Sequence, residues 1–120
     1  MKSSEKKGIR AIIVLEIIGR PKEYLLENLN EIISKIGAEK GVSVIEKKIR
    51  EPTLIKDQTD LFTTFAEVEI EADEVVYLAV LMFKYMPSHI EVIYPEEIKV
   101  DNSTLTDLFS ELCRRLHGYD

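Results

Sequence analysis

LFTTFAEVEIEADEVVYLAVLMFKYM, residues 61–86, decides the fold. Its first half alternates. Phe62, Thr64, Ala66, Val68 and Ile70 point one way, and Thr63, Phe65, Glu67, Glu69 and Glu71 the other, the pattern of a strand with one face in a core. At Asp73, a residue able to cap a helix, the period changes. EVVYLAVLMFKYM is apolar around almost its whole circumference, so this helix is either heavily buried or at an interface. Pro87 pushes Met86 out of helical dihedrals and ends the helix near YMPS, with Lys84 suited to the negative end of its dipole. HIEVIY then starts a further strand, which Pro95 ends.

The first half of the chain carries the same signals. IRAIIVLEII, residues 9–18, is apolar and β-branched at nearly every position, which predicts a central strand covered on both faces. Gly19 supplies a turn and Pro21 suits a first helical position. KEYLLENLNEIISKIG then sets Leu25, Leu29, Ile32, Ile33 and Ile36 on one stripe before Gly37 stops the helix. VSVIEKKIR, residues 42–50, reads as an edge strand blunted by Lys47, Lys48 and Arg50, followed by a loop or extended hairpin tip, EPTLIKDQTD. After EEIKVDN, Asn102 or Ser103 opens a last helix, TLTDLFSELCRRLHGYD.

The order strand, helix, strand, strand, helix, strand predicts an α+β class. It resembles the ferredoxin-like βαββαβ sandwich, with a four-stranded antiparallel sheet, both helices on one face and an extra C-terminal helix. The expected organisation is a flexible tail over residues 1–8, the ferredoxin-like domain over 9–100, and an amphipathic helix over 101–120 packed on the domain or on a partner. Within that superfold the chain looks most like small ACT-type regulatory domains: a hydrophobic first strand, a short turn with Gly and Pro, then a helix. That resemblance implies an amino-acid or anion sensor. ACT domains usually carry an acidic residue and a Pro-Gly pair in the turn, where this chain has Gly19-Arg20-Pro21. The order is also similar to PII-like proteins, acylphosphatases and RNA-binding relatives. The long nucleotide loop, the glycine-rich arginine loop and the row of stacking aromatics that mark those families are not matched. Fold alone does not choose a function.

Composition narrows the classes. A chain of 120 residues with 45% hydrophobic and 32% charged residues fits one soluble domain, and no apolar run approaches the roughly 18 residues a membrane span needs. MKSSEKKG reads as a mobile polar tail and not a signal peptide, and its basic residues as a solvated run. The single cysteine, Cys113, excludes an internal disulfide and a multi-thiolate zinc site within one chain, and fits a reducing cytoplasm. A net charge of −6 disfavours phosphate backbones, so neither nucleic acid nor membrane is an expected partner. The richness in Glu, Lys and Ile is compatible with a thermophilic or archaeal source.

No nucleophile, base and orienting group appear together, so no catalytic residue, metal or cofactor is expected. His89 with Glu91 is the nearest approach to an acid and base pair, and an enzyme using them ranks last. Gly19 and Arg20 sit where a strand meets a helix N-terminus, a place that attracts anions, and Lys84 with His89 is the other candidate lining of a small-ligand cleft. Leu105, Leu108, Phe109, Leu112 and Leu116 form a stripe along the last helix, with Cys113 read as a buried small hydrophobe among them. Burying five such side chains is worth around 10 kcal/mol at most, so the stripe has to pack on its own sheet, a second copy or another protein. Ile12, Val14 and Phe65 are the expected apolar members of the sheet's other face, which the helix would cover. The leading expectation is a non-catalytic assembly module, most simply a homodimer. An ACT-like sensor of a small anionic ligand is the alternative.

Overall fold

The structure, a computed structural model, describes residues 8–118. The elements run β1 (Ile9–Gly19), α1 (Lys22–Gly37), β2 (Val42–Ile49), β3 (Thr53–Leu54), β4 (Phe62–Ala72), α2 (Val75–Tyr85), β5 (His89–Tyr94) and α3 (Asn102–His117). Of the tail expected over residues 1–8, all but Gly8 lies outside the described residues; Gly8 itself is buried.

The alternation in β4 builds the sheet. β4 pairs with β1 without a break from Ile9 opposite Ala72 to Gly19 opposite Phe62, and the order β2-β4-β1-β5 is antiparallel throughout. This is the ferredoxin-like arrangement, with the first strand and β4 in the centre. The segment after β2 extends the sheet: β3 pairs with the start of β4, making a hairpin tip. Ala66, Val68, Ile70 and Ala72 of β4 and Ala11, Ile13 and Leu15 of β1 face the helices, and α1 closes over them with Leu25, Leu29, Ile33 and Ile36. Each fully buried large side chain contributes about 1.5–3 kcal/mol. No helix among the described residues is long and apolar enough to cross a membrane.

β1 is central but not covered twice. Its burial alternates, because α1 and α2 lie on one face of the sheet and the other face stays open. Ile12 and Val14 look outward there and are only half-buried, lying beside the carbon stems of Glu67 and Glu69 on β4.

Helix ends differ from expectation in three places. Pro21 occupies the N-cap position of α1, one residue before the helix, and its carbonyl accepts from Tyr24 N–H at 3.0 Å. Asp73 caps nothing; its N–H is spent on the Gly41 carbonyl at 2.8 Å, and Glu74 takes the cap position of α2 without a side-chain bond. Asp101, not Asn102 or Ser103, caps α3, accepting from Thr104 N–H at 2.8 Å. That bond holds the Asp101 carboxyl below its ordinary range. α2 ends as expected before Pro87, with Met86 in the left-handed region at φ 47°.

Gly41 turns the chain into β2 with φ +74°, and a Cβ there would run into the Tyr77 ring, so two independent constraints require glycine. α2 buries Leu78 and Leu81 on the sheet, and the rest of its apolar circumference is half-buried because α3 covers its outer side. Thr104 shares a recess with Val75, and Arg114 and Arg115 share one with Phe83, so α3 runs in the same direction as α2. The terminal helix therefore packs on a helix, not over the open sheet face as the sequence suggested.

Candidate interaction surface

The four expected ligand residues do not meet. Gly19 lies opposite Phe62 at the end of β1, and Arg20 points its Nε at Asp60 Oδ1, 3.0 Å away in an exposed pair. Lys84 lies in a different recess, with Lys35, Ala38, Glu39 and Tyr85. There its Nζ is 2.9 Å from Glu39 Oε2, and the same oxygen accepts a 2.6 Å bond from Tyr85 Oη. The two donors, the tyrosine first, hold the Glu39 carboxyl below its ordinary range, while burial and the carboxylate push Tyr85 up to about 12. This cluster is a strut between the exit of α1 and the end of α2. His89 is on the open sheet face, opposite Val14, with Glu91 opposite Ile12.

That face is polar. Its centre is a shallow recess lined by Ile12, Glu46, Lys48, Glu67 and Glu69. Across the strands Glu46 is set against Glu69 and Lys48 against Glu67, and Arg10 reaches both Glu69 at 3.9 Å and Glu71 at 4.0 Å. Phe65 lies under the Arg50 guanidinium, 5.2 Å from ring centroid to carbon. Among the described residues no group of three or more His, Cys, Asp or Glu side chains is placed to hold a metal ion. Ile12, Val14 and Phe65 are thus present where the sequence put them, but beneath a layer of charge. A second face laid on this one would have to desolvate that mixed layer of carboxylates, Arg10, Lys48 and Arg50.

α3 is different in kind. The flank turned to α2 is Thr104, Leu108, Glu111 and Arg115, each half-buried, with Leu105 and Leu112 at its margin. Phe109 and Leu116 lie on the other flank, 54% and 60% exposed, and Cys113 between them is exposed too. The expectation that Cys113 is buried is therefore wrong. Helical periodicity placed it on the apolar stripe, and the stripe is rotated away from the surface α3 packs against. Glu111 gathers Arg115 and Arg114 at 2.6 Å each, and the two guanidiniums hold its carboxyl below the ordinary range. α3 is seated by its polar edge as much as by its leucines, and no residue on it is fully buried.

A second run of exposed apolar side chains precedes it. Val92, Ile93 and Tyr94 of β5, and Ile98 and Val100 in the connection to α3, are all exposed. The sequence reading passed over most of these. The available signal was topological: β5 is the last strand of its unit, so it is an edge, and apolar residues on an edge have one neighbouring strand instead of two.

No curated protein matches the chain, and no solved structure does. A protein-family model matches residues 10–118, which takes in all of the elements described above except Ile9, the first residue of β1. The chain belongs to the MJ0538 family.

Proposed function

We propose that the chain is a non-catalytic assembly module that self-associates through the edge strand β5, the uncovered flank of α3 or both. The observation behind this reading is the seating of α3. An amphipathic helix whose Phe109, Cys113 and Leu116 stay in water, while Glu111 and Arg115 on the same helix are half-buried, is a helix with an unfilled apolar flank. The open sheet face, rich in carboxylates, is the weaker docking surface. Light scattering after gel filtration across a concentration series tests the reading. The full-length protein is expected as a dimer, and Phe109→Ser with Leu116→Ser is expected to shift it to monomer with melting of the monomer unchanged, since both side chains are exposed. A wild-type protein that stays monomeric throughout would refute it.

The sensing alternative rests on the ACT-like strand, turn and helix and on Arg20 beside the α1 N-terminus. A thermal-shift screen with amino acids and nucleotides tests it, because a bound ligand raises stability as RT ln(1 + [L]/Kd). A flat screen would count against sensing and leave assembly standing.

A further inference from the structure

The two edges of the sheet are built differently. On β2, pairing with β4 shifts register between Val44 and Glu46, and Lys47 and Lys48 follow, Lys47 being tied to Asn30 Oδ1 at 2.8 Å. A bulge with lysines is how an edge is kept from recruiting another strand. β5, HIEVIY, also carries a register shift, at Ile93, but it has no lysine or proline within it, and Glu91, Val92, Ile93 and Tyr94 are all exposed. Its polar side chains of opposite hydrogen-bonding character, His89 and Glu91, stand two residues apart on the open face, opposite Val14 and Ile12.

We infer that β5 pairs antiparallel with β5 of a second copy about a two-fold axis through Ile90, joining the two sheets into one. This rests on the assembly reading and names the contact it uses. An edge-to-edge antiparallel two-fold stands perpendicular to the sheet and keeps each residue on its face, so residues brought opposite must share a face. Four residues of the strand have both neighbours within it. A centre at Ile93 would set Val92, which pairs with the helix-facing Ala11, against Tyr94, which pairs with the outward Arg10, so three centres remain. A centre at Glu91 sets carboxylate against carboxylate. A centre at Val92 sets Glu91 against Ile93, the residue skipped where pairing with β1 shifts between Arg10 and Ala11. A centre at Ile90 sets His89 of each copy against Glu91 of the other, twice by symmetry, with an imidazole N–H free to donate to a carboxylate. It also places Ile90 against Ile90 on the helix side and leaves both helix layers on one side of a continuous sheet. Donor-to-acceptor complementarity of the strand with itself, imidazole N–H to carboxylate, selects this register and a second copy as the occupant.

Sedimentation of the full-length protein and two variants tests it. His89→Glu opposes like charges at both symmetric contacts and is expected to weaken the dimer about tenfold. His89→Glu with Glu91→Lys restores opposite charges and is expected to return the dissociation constant to near the wild-type value. His89 and Glu91 are exposed, so the fold tolerates both changes. A wild-type dimer whose affinity neither variant changes overturns the pairing and leaves assembly through α3. A double variant no tighter than the single one overturns the register. A monomeric wild type overturns the pairing together with the assembly reading.

Discussion

Replacing Tyr85 with Phe removes one hydroxyl and should loosen the strut that ties α1 to α2. Tyr85 Oη donates to Glu39 Oε2 at 2.6 Å, and Lys84 Nζ approaches the same oxygen at 2.9 Å. A hydrogen bond to a charged group contributes about 1.5–3 kcal/mol net. The Glu39 side chain is 18% exposed and keeps its lysine, so water and the ammonium offset part of the loss, leaving about 1 kcal/mol. For a domain of this size that is a fall in Tm of about 3–6 °C at pH 7. The effect has a pH signature. The folded pKa of Glu39 lies below its ordinary 4.5, so its contribution is present above 4.5 and is lost as pH falls through the folded value. The gap between wild type and variant should therefore be full at neutral pH and close in acid. On the alkaline side, the folded Tyr85 titrates at about 12 against an ordinary 10.0, so its contribution is complete below pH 10 and is lost as pH rises through about 12. Calorimetric melting at neutral pH and in acid measures the gap and its closure. An unchanged Tm at pH 7, or a gap that widens on acidification, would refute the strut.

Gly41→Ala is expected to cost about 2–3 kcal/mol, about 1–2 for a left-handed residue with a Cβ and the rest for displacing the Tyr77 ring; a urea midpoint equal to wild type would contradict this. Asp101→Ala removes the one side-chain cap on α3, so amides in its first turn should exchange faster while those of β1 and β4 do not change; equal exchange around Thr104 would show that the cap is idle.

The sequence carried the fold wherever periodicity has one interpretation. In β4 each outward residue from Glu67 to Glu71 is charged, so the face is legible. In β1 the outward residues are Ile12 and Val14, and apolar residues on both sides read as double burial, although only one side has helices. The cap of α3 was ambiguous because Asp101, Asn102, Ser103 and Thr104 are all capping residues, and only backbone geometry selects the first. For the candidate surface, helical spacing found the stripe from Leu105 to Leu116 but not how far round the helix its neighbour reaches, which is why Cys113 was misplaced. The pairs Arg20 with Asp60 and Tyr85 with Glu39 join residues with no local relation, and nothing in either segment alone announces them.

The unbroken pairing of β1 with β4 also orders events in time. Gly19 waits for Phe62 and Ile9 for Ala72, and β5, the other neighbour of β1, comes later still. At about 5–20 residues added per second, the most apolar strand of the chain spends several seconds of synthesis without either partner, with only α1 at hand to shield it. Those seconds expose the chain to misassembly before its sheet exists, and a chaperone that recognises bare β-branched segments would have its target in residues 9–18.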